Sequence, residues 1–321
     1  MRTILLTNNY PVGPYEIVLK ELPEGFNLAM LEENTQECIE AEVCNADYIL
    51  ASGRVKITEA VLDKATKLKM IQRTGVGLDS LDLVTIRKKK IPLYVNQGVN
   101  SKSVAEHTLL LMLACLRKLP QLHRNIANGI WKKQEQGVQT FELSGKTVGL
   151  IGMGNIAKAV VKLLRGFEVN VLYYDIKRLS SEEECQFGIR YCTLEELLPQ
   201  VDILSLHCPL TENTRNIIDK NALEKMKKDA IIINTARGGL IDMRALAEAL
   251  KTGTLAFAGL DVYDEEPLKE ENPILSLENV VLTPHIGGIT KDSFQKMMHD
   301  AMRNIERFEN GKLDEIKQYL Y

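Results

Sequence analysis

Short apolar runs of strand length recur along this chain, and helical spacing fills most of the gaps between them. In the first hundred residues they are TILLT (3–7), YILAS (48–52), LKMIQ (68–72) and IPLYV (91–95), with helical patterns near 58–66 and 80–90. A second series lies at 146–152, 169–175, 202–208, 230–235, 255–261 and 280–283. Strands alternating with helices imply parallel sheets wrapped by helices, an α/β fold. Two such series in 321 residues predict two lobes.

The segment NSKSVAEHTLLLMLACLRKLP separates the two series. Ser103 followed by Glu106 makes a capping box, so a helix is expected to begin there. Leu109–Leu116 is apolar all round, which predicts burial on most faces, against a lobe or a second subunit. Pro120 is expected to end this helix. Near the C-terminus, 291–312 reads as one long amphipathic helix closed by Gly311. No repeat of solenoid period is present.

Several function classes are disfavoured. Net charge is −3, so no basic surface points to nucleic acid, and Arg87-Lys88-Lys89-Lys90 reads as the solvated end of a helix. The apolar run 109–116 is too short for a membrane span, and the N-terminal MRTILLTNNYP is too brief for a signal peptide. Six cysteines show neither a CxxC pair nor metal-ligand spacing, so a cytoplasmic protein with reduced thiols and no metal is expected. Hydrophobic residues at 45% and charged residues at 26% suit a globular protein with sizeable cores.

The second series carries a nucleotide signature. KTVGLIGMGNIAKAVVKLL is a strand, then Gly152-Met153-Gly154-Asn155-Ile156-Ala157, then a helix. In this GxGxxA pattern Gly152 permits the tight turn, Gly154 lets a pyrophosphate approach the backbone, and Ala157 lets helix and strand pack closely. Free N–H groups at the helix N-terminus favour the anion. The next strand, VNVLYYD, ends in Asp175, 23 residues after Gly152. A carboxylate there accepts from ribose hydroxyls and repels a 2′-phosphate, which argues for NAD over NADP. Lys177 and Arg178 work against that preference.

Three further strand exits supply charged groups. AIIINTARGG ends in Arg237, GLDVYDEEP offers Asp261, Asp264, Glu265 and Glu266, and VVLTPHIGG places His285 before Ile-Gly-Gly. Open α/β sheets bind ligands at the carboxyl ends of their strands. Reducing a 2-keto acid needs a cation for the substrate carboxylate and a proton donor facing the carbonyl oxygen. A carboxylate beside a histidine keeps the imidazolium charged near neutral pH.

From residue 73 onward the chain resembles the D-isomer-specific 2-hydroxyacid dehydrogenases. The matching stretches are RTGVGLDSLDL (73–83), NQGVNSKSVAEH (96–107), GKTVGLIGMGNIA (145–157), LHCPLTENTRNII (206–218), INTARGGLID (233–242), GLDVYDEEP (259–267) and LTPHIGG (282–288). The resemblance implies two Rossmann-like and flavodoxin-like parallel-sheet domains, the cofactor domain inserted into the substrate domain. Residues 1–99 plus 291–321 would form the substrate domain and 100–290 the NAD-binding domain, with the active site in the cleft between them. It implies catalytic roles for Arg237 (substrate carboxylate), His285 (acid/base) and Glu266 (its partner), while Asp264 and Glu265 face solvent. Val76 and Gly77 would bind the substrate carboxylate through backbone N–H groups. On the cofactor side it implies Gly152, Gly154, Asn155, Ile156, Asp175, Cys208, Pro209, Thr214, Ala236, Asp261, His285 and Gly287, with Asn100 and Ser103 facing the same way. His107 and His207 match positions without assigned chemistry.

The implied activity is reduction of a small 2-keto acid by NADH, in a homodimer formed through the cofactor domain. A short 3-phosphoglycerate dehydrogenase is the narrower alternative, and Arg54, Lys56 and Arg73 are its candidate phosphate contacts. An NAD-sensing, corepressor-like scaffold is the alternative of a different class.

Overall fold

The computed structural model describes residues 1–316; the expected contribution of 317–321 to the substrate domain lies outside the described residues. The chain divides into two compact units, one made of 1–100 and the segment from Ile289 onward, the other of Ser101–Gly288.

In the first unit β1 (Arg2–Leu6), β2 (Phe26–Met30), β3 (Tyr48–Ala51), β4 (Met70–Arg73) and β5 (Leu93–Tyr94) form a sheet in the order β2-β1-β3-β4-β5. All pairings are parallel. Every residue of β3 and β4 is buried; β3 is accordingly all apolar or aromatic, while β4 ends in the buried polar pair Gln72 and Arg73. Helix Lys291–Glu309 returns to this unit. Its Phe294, Met297, Met298, Ala301 and Met302 join Ile4, Leu6 and Tyr48 in one core. At its C-terminal end Glu309 accepts from Arg2 Nε at 2.6 Å, from Lys69 Nζ at 2.8 Å and from the Tyr48 hydroxyl. Burial pushes this carboxyl up, but the hydrogen bonds from Lys69, Tyr48 and Arg2 outweigh it and hold it down to about 2.

The second unit carries β6 (Thr147–Ile151), β7 (Asn170–Tyr174), β8 (Ile189–Tyr191), β9 (Ile203–Leu206), β10 (Ile231–Asn234), β11 (Phe257–Leu260) and β12 (Val280–Leu282). Their order is β12-β11-β10-β9-β6-β7-β8, again with parallel pairings. The order reverses between β6 and β9, the switch point where such sheets bind ligands. Helix Ser101–Leu116 packs Leu111, Met112 and Cys115 onto Val148, Leu150 and Ile233.

Several expectations need correction. Helix Ser101–Leu116 starts two residues before Ser103, so Ser103 and Glu106 lie inside it. Its burial on most faces is as expected, with Leu110 the exposed exception at 52%. Pro120 does not end it. The helix stops at Leu116, Lys118 turns left-handed at φ 51°, and Pro120 sits in the first turn of the next helix, Leu119–Ala127. A missing N–H costs nothing there, because first-turn N–H groups have no intrahelical partner. Strands β2 and β8 were not anticipated. Both are sheet edges, and their partly solvated sequences, FNLAM and IRY, lack a clean apolar run. The basic run 87–90 does close a helix, Leu83–Lys88. No helix among the described residues is long and apolar enough to cross a membrane.

Candidate active site

The glycine turn follows β6. Gly152 has φ +93°, and a Cβ on it would stand 2.7 Å from the backbone of His207 and Cys208, so only glycine fits. Gly154 precedes helix Asn155–Leu164 with no side-chain cap, leaving its first N–H groups without a side-chain acceptor. A Cβ on Gly154 would meet nothing within 4 Å. Ala157 is fully buried in the core beneath. Asn155 is exposed and Ile156 half-buried beside the turn.

Asp175 follows β7. Its Oδ2 accepts from Met153 N at 2.6 Å and its Oδ1 from Lys177 N at 2.9 Å, so the carboxylate is fixed against the glycine turn. Ile176 beside it is 93% exposed, an apolar surface that sequence reasoning passed over. Across the switch point, the Thr214 hydroxyl donates to Pro209 O at 2.7 Å and closes the loop that begins at Cys208. Burial pushes the Cys208 thiol up to about 11 and His207 down to about 4, so neither carries charge at neutral pH. An uncapped helix start, a glycine turn and a fixed acid fit a dinucleotide's phosphates and ribose.

The three charged loops leave adjacent strands, β10, β11 and β12. After β10, buried Asn234 frames the arginine loop: its Nδ2 donates to Arg237 O at 2.9 Å and its Oδ1 accepts from Ala236 N at 3.0 Å. Arg237 is half-buried and donates through Nη1 to Ala236 O at 2.7 Å. Gly238 lies directly on the next loop, since a Cβ there would be 1.8 Å from Tyr263 C.

The loop after β11 carries the acids of GLDVYDEEP. Asp264 and Glu265 are exposed, and Glu265 pairs with Lys269 at 2.7 Å. Glu266 accepts from Tyr263 N at 3.1 Å through Oε1 and meets His285 Nδ1 at 2.7 Å through Oε2. Burial raises the Glu266 pKa, but His285 and the Tyr263 N–H outweigh it and hold the carboxyl below its usual range. It is therefore ionised and only accepts, so the proton of this bond sits on Nδ1 of His285. The imidazole's Nε2 is the atom left for chemistry, on a side chain 46% exposed.

Asp261, only 1% exposed, holds the turn after β12. It accepts from Thr283 Oγ1 at 2.6 Å, Ile286 N at 2.9 Å and Gly287 N at 2.8 Å. Burial pushes Asp261 up, but His107, Thr283 and these two N–H groups hold it below the usual range. Tyr263 ties the two loops together by donating to Thr283 O at 2.9 Å. Asn234 and Tyr263 were not anticipated. Asn234 bonds to backbone two and three residues on and Tyr263 to backbone 20 residues away, and an Asn or Tyr in a sequence does not announce either role.

In the first unit, Val76 is 42% exposed and the neighbouring Gly77 is held by Arg73, whose Nε donates to Gly77 O at 2.6 Å and Nη1 to Ala51 O at 2.9 Å. Arg73 thus shapes the Gly75–Gly77 loop. Arg54 and Lys56 are exposed.

Residues 109–287 match the family model described as D-isomer specific 2-hydroxyacid dehydrogenase, NAD binding domain. The chain belongs to the D-isomer-specific 2-hydroxyacid dehydrogenase family. It is 39% identical over 269 residues to the D-3-phosphoglycerate dehydrogenase of Archaeoglobus fulgidus, covering 84% of this chain and 50% of that protein. It thus spans about half of that relative's length. The glyoxylate reductase of Korarchaeum cryptofilum is 33% identical over 315 residues, 94% of each chain. Among solved structures, NAD-dependent formate dehydrogenase from Staphylococcus aureus in complex with NAD superposes with a TM-score of 0.85 at 27% identity, over 100% of this chain and 99% of that one.

Proposed function

We propose that this protein is an NAD-dependent D-2-hydroxyacid dehydrogenase that reduces a small 2-keto acid. The observation that carries the reading is the 2.7 Å pair between His285 Nδ1 and Glu266 Oε2, one strand away from the Arg237 loop. NADH, when bound, supplies the hydride. The turn Gly152–Ala157 would hold its pyrophosphate at the helix start, and Asp175 its ribose, with Cys208, Pro209 and Thr214 alongside. Ala236, Asp261 and Gly287 would border its nicotinamide end.

Arg237 anchors the substrate carboxylate through charge-assisted hydrogen bonds. The Val76 and Gly77 backbone N–H groups of the first unit are proposed, on the family resemblance, as substrate-carboxylate donors. His285 gives its Nε2 proton to the carbonyl oxygen as the alkoxide charge develops, and Glu266 stabilises the imidazolium that must exist beforehand. In the oxidative direction the same Nε2 takes the proton back.

The apolar side chains of Leu119, Ile126, Trp131, Val138 and Phe141 are each 46–83% exposed in the second unit. A second copy of this chain is the proposed partner for them, since five exposed apolar side chains fall within the one segment 119–141. Light scattering reads the mass; a wild-type monomer at working concentration would refute the dimer.

Exposed Arg54 and Lys56 keep a phosphorylated substrate in view, in line with the phosphoglycerate dehydrogenase relative. The deciding experiment is NADH-dependent reduction of glyoxylate, hydroxypyruvate, pyruvate, 2-ketoisocaproate and phosphohydroxypyruvate, ranked by kcat/KM. Turnover of at least one is expected. NAD binding without turnover of any 2-keto acid would favour a sensing scaffold instead.

A further inference from the structure

We propose that His107, on helix Ser101–Leu116, is a positioning residue that fixes the His285 turn through Thr283 and Asp261. The proposal rests on the reading of His285 as proton donor.

The direction of each hydrogen bond follows from counting protons. Thr283 has one hydroxyl proton. It goes to Asp261 Oδ1, 2.6 Å away, because an ionised carboxylate only accepts. The 2.9 Å contact between Thr283 Oγ1 and His107 Nε2 must then run the other way, with Nε2–H donating to the hydroxyl oxygen. That same Nε2 lies 3.5 Å from Asp261 Oδ1. A single chain of donors therefore runs from His107 through Thr283 to Asp261.

Asp261 passes the constraint on. Its remaining bonds come from Ile286 N and Gly287 N, the two amides immediately after His285. His285 itself has φ 55°, a left-handed conformation that a non-glycine residue adopts only where its surroundings hold it. The His107 ring also lies close beside the turn. A Cβ on Gly287 would stand 3.1 Å from His107 Cδ2 and 2.9 Å from Asp261 Oδ2. The imidazole of His107 and the carboxylate of Asp261 thus both occupy the space beside Gly287 that a Cβ would need.

Without the His107 donor, the Thr283 hydroxyl is free to rotate from Asp261, and the carboxylate loses part of what orients it toward the turn. The His285 ring would then sample positions off its line to Glu266. Supporting residues of this kind commonly cost 10–100-fold when removed, and displacement by about 1 Å has a similar effect.

The test compares wild type with His107→Phe and His107→Gln. Phenylalanine keeps the ring but has no donor; glutamine places an N–H near the Nε2 position. For His107→Phe, kcat is expected to fall about 10–100-fold while NADH affinity stays within about threefold. For His107→Gln, most of that kcat loss is restored. A second readout needs no turnover: in ¹⁵N-histidine-labelled protein, the downfield Nδ1–H signal of His285 should broaden or vanish in His107→Phe and persist in His107→Gln. Thr283→Val cuts the chain at its middle and serves if His107→Phe does not fold; it should reproduce the same signature. Wild-type kcat together with an unchanged His285 signal in His107→Phe or Thr283→Val overturns the proposal. If no 2-keto acid is turned over by wild type, the function assigned to the protein fails, and the His285 signal still decides the positioning role either way.

Discussion

Gly238→Ala tests how the arginine loop and the glutamate loop depend on each other. In the structure, an alanine Cβ at 238 would lie 1.8 Å from Tyr263 C, 2.0 Å from Tyr263 O and 2.3 Å from Asp264 N. These are backbone atoms, so no rotamer change relieves the clash. Reaching ordinary contact, near 3.4 Å, requires the two loops to part by about 1.6 Å. One loop carries Arg237; the other carries Glu266 and, through it, His285. Overpacking of this kind costs about 1–3 kcal/mol of stability, more where backbone must move. A misplacement of about 1 Å in reacting groups costs on the order of 100-fold in rate, so kcat/KM should fall by about that much or more. Urea denaturation measures the first effect and steady-state kinetics with NADH the second. Gly239→Ala is the control, because its nearest neighbours, the Leu210 side chain at 3.1 and 3.3 Å and an Arg215 nitrogen at 3.4 Å, are able to shift. If Gly238→Ala kept wild-type stability and kcat/KM, the packing of these two loops would not govern the site.

Three further outcomes are expected. Arg237→Lys loses the planar fork and should reduce kcat/KM by about 3 kcal/mol of transition-state binding, on the order of 100-fold; wild-type kcat/KM would remove Arg237 from the substrate site. Glu266→Gln withdraws the charge that favours the imidazolium, so the pH above which reduction falls should move down; an identical pH profile would count against the pair. Glu309→Gln should lower stability at pH 7 by about 1–2 kcal/mol after allowance for solvent screening. Because the folded carboxyl titrates below its unfolded value, that difference is fully present above about pH 5 and should vanish as pH falls toward 2. A difference that persists at pH 2 would point to lost packing instead of lost charge.

Much of this arrangement was legible in the sequence because it lies at strand exits. β9, β10 and β11 are apolar runs, and the residues just past them, Cys208, Arg237 and Glu266, fall in loops that parallel sheets present to ligands. The glycine turn was legible for a similar reason, since Gly152 answers a local steric demand. What stayed hidden depends on partners distant in sequence. Tyr263 acts through a hydrogen bond to the backbone of Thr283, and Asp261 reads as a cofactor contact by resemblance while its oxygens also hold the amides of Ile286 and Gly287. Arg73 looked like a candidate phosphate contact, yet its guanidinium reaches Gly77 and Ala51 carbonyls. Edge strands β2 and β8 were illegible because solvent at the rim relaxes the apolar pattern.

The most direct test of the account is His285→Ala, assayed for NADH binding and for reduction of the preferred 2-keto acid at saturating substrate. The account predicts NADH affinity close to wild type and a kcat lower by about 10²–10⁴-fold, the contribution expected of a lost general acid. An alanine variant that reduces the keto acid at the wild-type rate would contradict it.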